Sequence, residues 1–252
     1  MEYKQDISWH KDNYLDYDFI KEESLHYCFY FKKDSLVKKD IKNIVNKKEN
    51  QYTKILDWLN LNNDRKINYY LYSSLKEKSV LMGDDSPGNA IWEELEIASD
   101  KALSKRFEIH AVYNEKCKFI NEHEDTHLLS LPWGLSIYLF CEGLAQYMEN
   151  GFIGKDLHIV SKNLLKEKKL YSIEFLFNNK NWNKVDSTII YPQVGSFSKF
   201  IIEKYTKERF EELYKNTSRK DNTFQNLLKV EKFYKKDIKQ LEEEWLNFLK
   251  VL

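Results

Sequence analysis

Residues 119–131 read FINEHEDTHLLSL, and the segment His123-Glu124-Asp125-Thr126-His127 within them can do chemistry. On an α-helix, side chains four residues apart stand on one face, so the imidazoles of His123 and His127 can reach a single metal ion. Neutral imidazole is a good ligand for Zn2+. Glu124 follows the first histidine, which points its carboxylate beside the metal rather than into it. There it can take a proton from a metal-bound water. Phe119, Ile120, Leu128 and Leu129 are apolar and would anchor such a helix in a core. The competing reading is a surface helix that carries two unrelated histidines.

The next residues determine where that helix ends and where the chain turns. Pro132-Trp133-Gly134 must close it, because proline disfavours helix at the preceding residue and glycine permits a turn. A second helix can then run from Ser136 through Glu149. A short αα-hairpin would bring it back past the first, with Glu142 about one and a half turns from its start. His127 is about one turn before the break, so the two side chains can meet. A carboxylate as third ligand, with water in the fourth position, is the composition of an open catalytic zinc site.

HEDTH followed by FCEGLAQYMEN (140–150) resembles the gluzincin metallopeptidases, in which HExxH precedes a helix bearing E-G-x-A-x-Y. The resemblance implies one Zn2+ held by His123, His127 and Glu142, with Glu124 as general base. YPQVGSFSKFIIEKYTKERFEELYK (191–215) is similar to a segment of uncharacterised bacterial gluzincin-like proteins, of the form Y-x-x-x-G-S-F-x-x-[FW]-[LI]-x-x-Y-G-x-E-x-[FL]. FYKKDIKQLEEEWLNFL (233–249) resembles their closing G-K-S-x-x-x-L-E-x-x-W-x-x-[FY]-L. The likeness runs from residue 107 to the end. Three departures stand out: only fourteen residues separate His127 from Glu142, Thr206 replaces a usual glycine, and Asp237 replaces a usual serine.

Several other residues bear on such a site. Amide hydrolysis needs a group that stabilises the oxyanion, and Tyr191, read as opening a segment before a helix, is the candidate; packing against the core is the alternative. Tyr147, five residues past Glu142, is a candidate to support the ligands from behind, with interhelical packing the stronger expectation. Asp125 and Glu149 are candidates to accept the second N–H of a ligand histidine, against a solvated position for each. Residues 107–113 (FEIHAVY) read as a strand. The resemblance implies that this strand is a sheet edge that pairs with extended substrate. His110 would then line the cleft, although core or edge placement without function is the stronger expectation. His10, His26 and His158 have no partner spacing.

The remaining pattern predicts an α+β chain. Residues 24–32 and 67–73 read as strands, 36–60 as one helix or two helical segments, 83–89 as a loop, and 118–130, 136–149, 195–215 and 235–250 as helices. A small antiparallel or mixed sheet is expected in residues 1–117, with an edge strand, and a mainly helical zinc-site part in 118–252, the two packed as one unit. Forty basic and forty acidic residues cancel, which gives no electrostatic reason to expect nucleic acid or an anionic membrane as partner. Cys28, Cys117 and Cys141 are widely spaced, so neither a disulfide framework nor a cysteine zinc site is expected, and Cys141 reads as a small buried apolar residue. The polar N-terminus lacks the apolar core of a secretory signal, so cytoplasmic location is the expectation, or secretion if a signal has been removed. The expected function is a zinc metallopeptidase acting on a peptide or protein. The alternatives are a non-catalytic gluzincin-fold binding module and a zinc hydrolase of a non-peptide amide or ester.

Overall fold

Short runs rich in tyrosine, phenylalanine and β-branched residues suit a pleated surface, and they form the sheet of the N-terminal half. A computed structural model describes residues 2–63, 65–98 and 101–252. Its strands are β1 (Glu2–Tyr3), β2 (Ile20–Glu23), β3 (Tyr27–Phe31), β4 (Ile67–Tyr72), β5 (Gly88–Glu93), β6 (Leu95–Ala98), β7 (Lys101–Leu103) and β8 (Arg106–Val112). Its helices are α1 (Leu36–Leu59), α2 (Leu75–Met82), α3 (His123–Leu129), α4 (Tyr138–Glu149), α5 (Leu157–Lys166), α6 (Ile173–Leu176), α7 (Ser187–Lys204), α8 (Lys207–Asn216), α9 (Thr223–Tyr234) and α10 (Ile238–Val251). The class is α+β. The chain forms two compact units, Met1–Pro132 and Trp133–Leu252, so the HEDTH helix groups with the sheet.

In the first unit, a mixed sheet has the order β2-β3-β4-β8-β5. The three central strands are parallel, and β2 and β5 run antiparallel at the two ends. A smaller antiparallel sheet has the order β1-β6-β7. The placement of β8 corrects the expectation that strand 107–113 is an edge. β8 pairs with β4 on one side and with β5 on the other, so β5 is the terminal strand there. The physical reason is that the turn expected to persist through residue 89 ends earlier: the loop stops at Pro87, and Gly88 already pairs with Ala111. Gly88 also permits a close approach, since a β-carbon there would come within 2.1 Å of the Phe119 ring.

α1 has the spacing of a one-sided helix. Val37, Ile41, Ile44, Lys48, Gln51, Tyr52, Ile55 and Leu59 form its buried stripe. Two members of that stripe, Lys48 and Gln51, are polar. The helix expected from residue 118 starts only at His123. Residues 118–120 are held instead by main-chain bonds, Phe119 N donating to the Val112 carbonyl at 3.0 Å.

In the second unit, α4 packs closely on α7. A β-carbon on Gly143 would sit 2.0 Å from Ser198 Oγ, and one on Gly195 would sit 2.6 Å from Gln146 Cβ. Ser196 Oγ lies 2.8 Å from His158 Nδ1 and accepts from Trp245 Nε1 at 3.0 Å, which ties α5, α7 and α10 together. The serine of GSF and the tryptophan of LEEEW are thus joined inside the core. Thr206 and Asp237 are helix N-caps, whose side chains accept from Arg209 N and Gln240 N. Aspartate in place of serine at a cap preserves the capping chemistry. The segment expected as one helix over 195–215 is two, α7 and α8, and α7 begins at Ser187 with Pro192 inside it.

Candidate metal centre

α3 places His123 and His127 one turn apart, and their ring centroids lie 4.8 Å from each other at 83°. His123 and Glu124 are almost fully buried, and His127 is half-buried. α3 passes through a 3-10 turn at Leu131–Trp133 before Gly134 adopts φ +96°, and α4 begins at Tyr138. The expected break is therefore present. Glu142, half-buried on α4, completes a group: one ligand atom from each of His123, His127 and Glu142 lies within 4.8 Å of the others. Two imidazoles and one carboxylate are a donor set that suits Zn2+, and three protein ligands leave a position open.

Within each unit a cation feels one of the site's carboxylates, Glu124 or Glu142. The Glu124 carboxylate acts on the buried Lys78 ammonium and on the Tyr69 phenol. Burial pulls the Lys78 ammonium below its ordinary value, and Asp84, to which it is paired, opposes that. Lys78 Nζ also donates to the Ser86 carbonyl at 3.0 Å, and so pins the loop that leads into β5. In the second unit, Arg219 donates through Nε to the Ser136 carbonyl at 3.0 Å and stacks over the Tyr138 ring at 4.1 Å. Its guanidinium is held above its ordinary pKa by neighbours that include Cys141 and Glu142, against the opposing effect of burial. Neither Lys78 nor Arg219 had a signal in the sequence, because each belongs to a polar, lysine- or asparagine-rich stretch.

The other candidates take different places. Tyr191 stands inside α7 rather than ahead of a helix, and is half-buried. Tyr147 lies on α4. Glu149, at the end of α4, accepts from Gln146 Nε2 at 3.2 Å. Asp125 is not on a solvated face: it is fully buried and accepts from Tyr27 Oη at 2.5 Å and from Lys48 Nζ. Burial pulls the Lys48 ammonium below its ordinary value, with the Asp125 carboxylate opposing. His110 is a core residue, fully buried, its Nδ1 2.8 Å from Tyr72 Oη and its ring stacked on Tyr70. Cys141 is buried and not disulfide-bonded, as expected.

The terminal strand β5 has an outward side whose main-chain groups are met by side chains. Gln5 donates to the Ala90 carbonyl at 3.5 Å and accepts from Trp92 N at 2.9 Å. Ser86 Oγ donates to the Gly88 carbonyl at 3.0 Å. Among the described residues, no helix is long and apolar enough to cross a membrane. No protein-family model matches the chain, and no curated protein matches it.

Proposed function

We propose that this chain is a zinc-dependent hydrolase of gluzincin type that cleaves peptide bonds. The observation that carries the reading is the group formed by His123, His127 and Glu142, with Glu124 between the two histidines in sequence. Zn2+ held by these three residues would supply Lewis acidity and an acidified water. Glu124 takes a proton from the attacking water and returns it to the leaving amine. Its near-complete burial suits that task, because a carboxylate shielded from bulk water exchanges its proton with the reacting groups. Tyr191 is the residue assigned to donate to the oxyanion.

Peptide, rather than another amide or ester, is favoured by β5. An extended chain added to this terminal strand would exchange main-chain hydrogen bonds for those now made by Gln5 and Ser86. This transfers to β5 the role that the resemblance attached to residues 107–113.

Digestion of a peptide library by the purified chain, with and without a chelator and read by mass spectrometry, tests the proposal. Cleavage that the chelator abolishes and added Zn2+ restores is the expected result. A zinc-replete chain that cleaves nothing in the library would leave the binding-module reading in its place.

A further inference from the structure

α3 is too short to hold itself. Its seven residues fall below the length at which an isolated helix is stable in water, and the side chain of its N-cap, Glu122, does not cap it. Tertiary contacts must therefore set its position. At about 100° per residue, Asp125 lies about 200° from both His123 and His127, on the side of the helix turned away from them. That side is fastened by directional bonds. Asp125 accepts from Lys48 Nζ and from Tyr27 Oη at 2.5 Å. Lys48 Nζ also donates to the Asn121 carbonyl at 3.0 Å, and Gln51 Nε2 donates to the Ile120 carbonyl at 3.2 Å. Tyr69 Oη donates to the Phe119 carbonyl at 3.3 Å, and its ring lies 5.1 Å from Lys48 Nζ.

Lys48 and Asp125 are both fully buried, and Lys48 interrupts an otherwise largely apolar stripe of α1. Taking two charges out of water is expensive, and apolar residues of similar size would fill the space at less cost. What apolar contact cannot supply is direction, because the hydrophobic effect is non-directional. A helix resting on apolar contacts alone can roll about its axis. Metal ligands must be held to within about 0.5 Å and 10–20° of their working geometry. We propose that Lys48 and Asp125 are positioning residues of the candidate metal centre. Their buried ion pair fixes the roll of α3 and so the direction in which His123 and His127 present their rings. This role rests on the zinc reading given above.

The test is Zn2+ affinity, measured by competition with a chromophoric chelator, alongside urea unfolding of the full chain. The variants are Tyr27→Phe, Lys48→Met, Asp125→Asn, the double variant Lys48→Met/Asp125→Leu, and Ile55→Ala. The last opens a cavity in the same buried stripe while leaving these hydrogen bonds in place. Folded Lys48→Met and Asp125→Asn are expected to bind Zn2+ about tenfold or more weakly than wild type, the scale of losses when the surroundings of metal ligands are disturbed. Tyr27→Phe should fall between them and wild type, and it carries the test together with the double variant if the single charge removals do not fold. Ile55→Ala should lose stability and keep wild-type affinity. The double variant should recover stability and not affinity. Wild-type affinity in the folded single variants, or in the double variant, would overturn the role. A wild-type chain that takes up no Zn2+ overturns the zinc reading itself, and this role with it, before any variant is compared.

Discussion

Gly143 and Ser198 meet with no room for a side chain between them: a β-carbon on the glycine would fall 2.0 Å from the serine Oγ and 2.9 Å from the Val194 carbonyl oxygen. The glycine of E-G-x-A-x-Y is thus a packing requirement of the helix that carries Glu142. Gly143→Ala should destabilise the chain by about 1–3 kcal/mol, as overpacking does. Ser198→Gly in that background should recover part of the loss, a coupling that a double-mutant cycle by urea unfolding would measure.

Glu124 is assigned proton transfer and no metal bond. Glu124→Gln is therefore expected to retain Zn2+ at wild-type affinity while hydrolysis falls by about 10²–10⁴-fold, the usual contribution of a general base. Metal content and peptide turnover of the same preparation decide it. Turnover retained in the zinc-replete variant would remove Glu124 from the mechanism.

Gln5 makes two hydrogen bonds to β5 where a substrate strand would add. Gln5→Ala should free Ala90 and Trp92 for that pairing. At about 0.5–1.5 kcal/mol for a net hydrogen bond, KM for an extended peptide should fall a few-fold with kcat unchanged. An unchanged KM would argue that substrate lies elsewhere.

His110 predicts a pH dependence of stability. Burial pulls its imidazole down to about 4; Glu108 opposes that shift, and His10 and Lys78 add to it. In the unfolded chain a histidine titrates near 6.5. Between these values the unfolded state binds more protons, so stability is lost as pH falls. From this residue alone the loss between pH 7 and pH 5 is about 2 kcal/mol. Urea midpoints at the two pH values should show it. His110→Gln should be less stable at pH 7 and should lack most of the slope.

The legible parts of this chain are those whose pattern is local. α1 arises from its three- and four-residue spacing, and β3, β4 and β8 arise from their aromatic and β-branched runs. HEDTH, the break at Pro132-Trp133-Gly134 and Glu142 could be read together because helix periodicity and turn chemistry are carried by near neighbours. The order of the strands could not be read, since nothing within β8 distinguishes an interior strand from a terminal one. Lys48 and Asp125 were illegible for a related reason. Each looks solvated in its own helix, and their burial depends on partners 77 residues apart in the chain. The late start of α3 is similar, because the Asn121, Ile120 and Phe119 carbonyls are engaged by side chains from α1 and β4.

The two ends of the five-stranded sheet bear on how the chain behaves in concentrated solution. A terminal strand displays a row of donors and acceptors on which another chain can template itself. At one end β2 is four residues long and carries Lys21, Glu22 and Glu23, a short charged border that repels such stacking. At the other end β5 has no charge between Gly88 and Trp92, and the Gln5 amide caps that border. Shortening the N-terminus would uncover it, so truncated forms should self-associate at concentrations where the full chain does not. The first few residues would then matter for solubility whether or not any substrate ever reaches β5.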